Sequence, residues 1–179
     1  MISNEATVPL GRVDCRALTD KVLSLDEAAW FADGRRQTDY DVHAQTQSII
    51  LTFCEGWPEV EVFRASGWDL LAAEAEPVMN QIIERHYPPG GLVLRAMLAR
   101  LPSGCRIARH SDGHPSFSVA HRIHVPLVTN PGVEFIVGRE RVPPRAHFAF
   151  ELNNLMMHSV VNNGDTARIH FIFDYAPSR

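Results

Sequence analysis

From residue 92 onward, apolar residues recur in short runs with period two, broken by turn-forming clusters at Pro102-Ser103-Gly104, Asn130-Pro131-Gly132, Pro143-Pro144 and Asn162-Asn163-Gly164. Short strands spaced by such turns predict a β-sandwich or barrel. Upstream the period changes. Leu70, Leu71, Ala75, Val78, Met79, Ile82 and Ile83 fall near helical spacing and predict a long helix over Gly67–His86. Pro77 is expected to kink that helix or open a second one, because proline lacks an N–H and suits a first helical turn. Pro88-Pro89-Gly90-Gly91 closes the helical part. Residues 48–53, rich in β-branched side chains, read as a strand before the turn-prone Glu55-Gly56-Trp57-Pro58. The first element expected is a short helix: Ser24-Leu25-Asp26-Glu27 has the form of a capping box, Ala28, Ala29 and Trp30 continue it, and Gly34 can end it. Residues 35–45 are polar and read as loop. Both helices are expected to cover one outer face of the β-structure.

Composition changes this picture little. A chain of 179 residues fits one domain, with residues 1–91 as a helix-and-strand support and residues 92–177 as the core strands. A hydrophobic fraction of 45% and a net charge of −4 give no basic excess, which excludes nucleic acid and anionic membrane as expected partners. The N-terminus has neither a basic nor an apolar signal region, and no apolar run approaches the ~20 residues of a membrane span. Cys15, Cys54 and Cys105 are odd in number and lack C-x-x-C spacing, so a reducing cytoplasm is the expected location.

Histidine is the informative residue, since seven of the nine lie between positions 110 and 170. If residues 106–112 form a strand, His110 and Asp112 share a face, about 7 Å apart along the chain, and can share one metal. A second imidazole from a distant strand, best supplied by His158, completes two histidines and one carboxylate with open positions left on the ion. This is the ligand arrangement of non-haem Fe(II) oxygenases. Arg168 follows ten positions after His158. If Asn162-Asn163-Gly164 form a type I turn with Gly164 left-handed, position 158 lies opposite 168 and both side chains face one way; a two-residue Asn-Gly turn would send Arg168 to the other face. An arginine inside an apolar barrel is costly unless an anion pairs with it, so the plain alternative is an outward-facing Arg168. Arg122 and His124 share a strand face by the same period, and their plain alternatives are a salt-bridge partner and a core histidine. His121 is expected outside the barrel, and His114, after Gly113 in a loop, is placed to contact substrate.

Taken together, His110-x-Asp112, Arg122-x-His124, His158 and Arg168 in R-I-H-F-I-F-D-Y resemble the aspartyl/asparaginyl β-hydroxylase family of 2-oxoglutarate oxygenases, which includes bacterial prolyl hydroxylases. The resemblance spans roughly residues 45–177. It implies a mainly β fold with flanking N-terminal helices, the double-stranded β-helix or jelly roll also used by cupins. It also implies Fe(II) held by His110, Asp112 and His158, with 2-oxoglutarate as co-substrate. Arg168 would clamp the distal carboxylate of 2-oxoglutarate bidentately, and Arg122 and His124 would lie near the co-substrate and iron. Asp112 sets the chain apart from the animal members, which lack the metal carboxylate, and brings it nearer the bacterial ones. The chain ends soon after its last strand, where amino-acid-oxidising members carry a further part, and this counts against free proline as substrate.

The expected activity is therefore a dioxygenase that hydroxylates an amino-acid or peptide side chain, or a related carboxylate-bearing small molecule. Its substrate lining is expected from residues 40–47, 114–118 and 139–145, including the basic Arg139 and Arg145. Two rivals stand beside it. One is a non-catalytic cupin-like binding domain. The other is a dinuclear zinc peptidase, which the H-x-D spacing also resembles but which needs more acidic ligands and a longer chain.

Overall fold

The structure is a computed structural model that describes residues 4–31 and 45–178. The chain runs β1 (Thr7–Arg12), α1 (Arg16–Leu23), α2 (Glu27–Phe31), β2 (Gln47–Glu55), β3 (Glu61–Arg64), α3 (Gly67–His86), β4 (Leu92–Leu101) and β5 (Arg106–His110). A 3₁₀ turn (Pro115–Ser118) follows, then β6 (His121–Val128), β7 (Val133–Val137), β8 (Glu140–Arg141), β9 (Phe148–Leu152), β10 (His158–Asn162) and β11 (Arg168–Ala176). Thus β1 and α1 precede the helix expected to come first. That helix is also capped otherwise: Asp26 Oδ1 accepts from the Ala29 N–H at 3.0 Å, so Asp26, not Ser24, satisfies a first-turn donor. Gly34 and most of the loop expected over residues 35–45 lie outside the described residues.

The strands form two antiparallel sheets, one of seven strands in the order β1-β9-β6-β11-β4-β2-β3 and one of four in the order β5-β10-β7-β8. This is the mainly β, jelly-roll architecture expected, with the helices on one side. Alternation along β11 shows how the layers arise. Ile169, Phe171, Phe173 and Tyr175 join Ala96 and Leu98 of β4 and Ile123 and Val125 of β6 in a core that also holds Leu18, Trp30, Leu71, Val78 and Ile82 of the helices. The opposite face of the same strands looks into the barrel, where Leu101, Ile107, Phe135, Phe150, Leu152 and Val160 pack between the sheets.

Pro77 neither breaks nor restarts α3, which runs as one helix of 20 residues. Pro77 and Ala73, one turn earlier, are both exposed. The carbonyl that loses its N–H partner therefore faces water, while Leu71, Ala75, Val78, Met79 and Ile82 bury the other side. Core burial of several large side chains, each about 1.5–3 kcal/mol, offsets the roughly 3 kcal/mol cost of an interior proline.

The segment between β10 and β11 is not a hairpin. β10 pairs with β5 and β7, whereas β11 pairs with β4 and β6, so the turn carries the chain from one sheet to the other. Gly164 does not take the left-handed region. It is glycine for close approach, since a Cβ there would lie 1.8 Å from Asn130 Oδ1.

Candidate metal centre

The end of β5 and the start of β10 lie side by side, with His110 directly opposite His158 in the smaller sheet. Their rings stand 4.3 Å apart between centroids. The strand expected to reach residue 112 stops at His110, and the chain then turns so that the Asp112 N–H donates to the Asn154 carbonyl at 2.9 Å. This tie returns Asp112 to the imidazoles, with Oδ1 3.8 Å from His110 Nε2. One donor atom from each of His110, Asp112 and His158 lies within 4.8 Å of the others.

Both imidazoles are held in the same way. The His110 Nδ1–H donates to the Ala108 carbonyl at 2.8 Å, and the His158 Nδ1–H donates to the Met156 carbonyl at 2.9 Å. A backbone carbonyl on Nδ1 fixes the tautomer that leaves Nε2 with a lone pair for a metal. Burial pulls the His158 pKa below the usual histidine range, against the opposing pull of the Met156 carbonyl and Asp112, which keeps the ring neutral. Two imidazoles and a carboxylate, with no thiolate, are a donor set suited to Fe(II) and neighbouring divalent ions.

Asp112 is shared. Its Oδ2 accepts from Arg122 Nη1 at 2.6 Å, while the rest of the Arg122 fork grips Asp174 through Nε–Oδ1 at 2.8 Å and Nη2–Oδ2 at 2.9 Å. Burial opposes the Arg122 charge, but Asp112 and Asp174 more than offset it and raise its pKa. Arg122 is thus the salt-bridge partner of the plain alternative and also touches the candidate metal ligand.

Deeper in, Arg168 is 1% exposed and donates from Nη2 to His170 Nδ1 at 2.7 Å. His124 lies 3.2 Å from the same nitrogen and stacks on Phe150 at 5.2 Å. Because Arg168 can only donate, His170 Nδ1 accepts, and His124 carries its proton on Nδ1. Burial first, then the Arg168 and His124 charges, drive the His170 pKa well down, so it is neutral. His170 Nε2 is buried and makes no hydrogen bond among the described residues.

Arg168, Arg122, His124, His110, Asp112 and His158 all line one cavity of about 30 Å³, which Thr46 also borders. The six residues singled out in the sequence therefore meet in one place, and Arg168 faces inward. The route differs from the one expected: His158 and Arg168 face each other across the barrel from opposite sheets. Residues 114–118 and 139–145 do not line this cavity, and residues 40–44 lie outside the described chain. His121 is on the outer face as expected, with Nδ1 2.8 Å from Glu151 Oε1. Sequence reasoning did not select Arg95, His170 or Asp174, and named Ser116 only as part of the expected substrate lining. Period two along β11 places His170 and Asp174 on the Arg168 face, but the partners across the sheet depend on register.

A family profile described as aspartyl/asparaginyl β-hydroxylase matches residues 17–177. No curated protein matches the sequence. Among solved structures, the chain is similar to a 2OG-Fe(II) oxygenase family oxidoreductase from Burkholderia pseudomallei, at 14% identity over 89% of each chain and a TM-score of 0.55. It is similar also to the collagen prolyl hydroxylase of Paramecium bursaria Chlorella virus-1, solved with 2OG, at 12% identity over 98% of each chain and a TM-score of 0.56. The nickel complex of the non-haem monooxygenase ThoJ gives 18% identity over 97% of this chain and 74% of that one, with a TM-score of 0.61. These likenesses establish the fold.

Proposed function

The chain belongs to the aspartyl/asparaginyl β-hydroxylase family, and from that premise we propose that it is an Fe(II)- and 2-oxoglutarate-dependent dioxygenase acting on an amino-acid or peptide side chain, or on a related carboxylate-bearing small molecule. Membership makes it an enzyme, a hydroxylase. In the proposed reading His110, Asp112 and His158 hold the iron, and Arg168 receives the distal carboxylate of 2-oxoglutarate. Bound iron would supply the activation of dioxygen, coupling oxidative decarboxylation of 2-oxoglutarate to succinate and carbon dioxide with insertion of the second oxygen atom into a substrate C–H bond.

The observation that carries this reading is the matched pair of Nδ1–H bonds to backbone carbonyls, which sets both imidazoles in the tautomer whose Nε2 bears the lone pair, with one donor atom from each of His110, Asp112 and His158 within 4.8 Å of the others. The remaining residues bind and orient. Arg168 offers a planar fork in a site shielded from water, where a carboxylate gains most from two parallel hydrogen bonds. His170 takes one Arg168 N–H and so restricts how the fork can turn. His124 and Phe135 wall the co-substrate space.

The test is succinate formation from 2-oxoglutarate under air with anaerobically loaded Fe(II), followed by a search for a product heavier by one oxygen among amino acids and peptides. The reading expects 2-oxoglutarate turnover that requires Fe(II). Metal binding without any turnover across that panel would favour the non-catalytic cupin-like alternative.

A further inference from the structure

Register places two arginines and an aspartate in one row across the inner face of the larger sheet. Asp174 on β11 is directly opposite Arg95 on β4 and directly opposite Arg122 on β6. Asp174 is 1% exposed, Arg95 4% and Arg122 8%. The contacts continue on both sides of the row. Arg122 Nη1 reaches Asp112 Oδ2 at 2.6 Å. Arg95 Nη1 lies 3.5 Å from Asp174 Oδ2 and donates to Ser116 Oγ at 2.9 Å, and Ser116 Oγ lies 2.8 Å from His114 Nδ1. Both guanidinium carbons lie over the Phe117 ring, 4.8 Å from its centroid for Arg95 and 4.4 Å for Arg122.

We propose that Asp174 is a positioning residue for the metal centre: by holding the Arg122 fork, it confines that arginine to Asp112 Oδ2 and leaves Asp112 Oδ1 as the single oxygen turned to the imidazoles. The inference rests on the reading of Asp112 as a metal ligand. An arginine fork prefers two parallel bonds to one carboxylate. Arg122 has two carboxylates within reach, and Asp174 takes the bidentate grip through Nε and Nη2. Only Nη1 is left for Asp112. Without the Asp174 anion, nothing described on this face holds Nε and Nη2, and the fork can swing onto both oxygens of Asp112. It would then compete directly with a metal for the carboxylate. Outer partners of metal ligands commonly set affinity by 10–100-fold.

A one-oxygen Asp112 also matters for what else can bind. A carboxylate that takes a single position on the ion leaves more positions open, and an oxygenase of this ligand type needs them for co-substrate and dioxygen. Asp174 thereby acts from outside the site, through Arg122, and touches neither the metal position nor Arg168.

The experiment is Co(II) titration of metal-free wild type, Asp174→Asn and the double variant Asp174→Asn/Arg95→Met, followed by the cobalt absorption spectrum, with circular dichroism and thermal melting as fold controls. The double variant removes the second buried cation, so it keeps the charge of the row closer to that of wild type. We expect Asp174→Asn to bind Co(II) about 10–100-fold more weakly, and the double variant to stay at least about tenfold weak with an altered cobalt spectrum. Wild-type Co(II) affinity and spectrum in the folded double variant would overturn the inference, because Asp174 would then serve only to neutralise Arg95. If neither variant folds, the infrared difference spectrum of metal-loaded minus metal-free wild type decides: a carboxylate bound through one oxygen is expected, and one chelating through both overturns the inference. Failure of wild type to bind Co(II) at all would instead refute the metal reading itself.

Discussion

Truncation of Arg168 is the sharpest test of the co-substrate site. Its side chain is 1% exposed, and one neighbour to which it donates, His170, is neutral. A carboxylate entering beside it meets a desolvated cation. Removing one partner of such a hydrogen-bonded buried pair costs roughly 2–5 kcal/mol. At 1.4 kcal/mol per factor of ten, Arg168→Ala should bind 2-oxoglutarate on the order of 30- to several-thousand-fold more weakly. Arg168→Lys should recover only part of this, because an ammonium keeps the charge but loses the planar fork. The assay is calorimetric titration of 2-oxoglutarate into Ni(II)-loaded wild type, alanine and lysine variants, with metal content and thermal melting recorded for each. Neither variant removes a bond from His110, Asp112 or His158, so metal content should hold. A wild-type-like dissociation constant in the alanine variant would refute the assignment and move the anchor to another cation lining the cavity, Arg122 first.

Alanine at His110, Asp112 or His158 should each abolish stoichiometric metal binding, and Fe(II) should support turnover where Zn(II) alone does not; full activity in an iron-free, zinc-loaded sample would exclude the oxygenase chemistry. With Asp112 proposed as the ligand at the position that halide occupies in iron halogenases, wild type in chloride buffer should give a hydroxylated product, and a chlorinated product found by mass spectrometry would overturn this. His170 makes stability depend on pH. Its folded pKa lies well below the 6.5 of an unfolded histidine, so its contribution is complete above about pH 6.5 and is lost on acidification through the folded pKa, at up to about 1.4 kcal/mol per pH unit. Denaturant midpoints at pH 7 and pH 5 should therefore differ less for His170→Asn than for wild type, and equal losses in the two proteins would clear His170 of the role.

How far the site was legible depends on which physical rule each residue followed. Period two alone put Arg122 with His124, and the same alternation carries His170 and Asp174 on the Arg168 face of β11, although neither was selected. Asp112 is different. It lies past the end of β5, and its approach to His110 comes from the Asn154 carbonyl that holds its N–H. That tie joins two loops distant in sequence and leaves no local pattern. His158 and Arg168 were paired through a hairpin that does not form; both border the cavity, but from opposite sheets. Two residues ten apart can face one another across a barrel as readily as along a hairpin, and only the pairing of β10 with β5 separates the cases. β1 and α1 were missed for a related reason: Thr7–Arg12 has one fully buried position, Leu10, and an edge strand of that kind shows little alternation. Its pairing with β9 is what holds it.

The same strand explains why a barrel this polar can be stable. On β11, Ile169, Phe171, Phe173 and Tyr175 face the helices, and Arg168, His170, Ile172 and Asp174 face inward. The largest apolar cluster thus lies outside the barrel wall, between the seven-stranded sheet and α1, α2 and α3. Apolar burial there supplies cohesion that does not depend on what fills the barrel. The interior is consequently free to carry buried charge, whose cost is tolerable only where each group finds a partner. The Arg95–Asp174–Arg122 row meets that condition with internal carboxylates. Arg168 lies further along the same face, where it borders the cavity and has the neutral His170 among its partners.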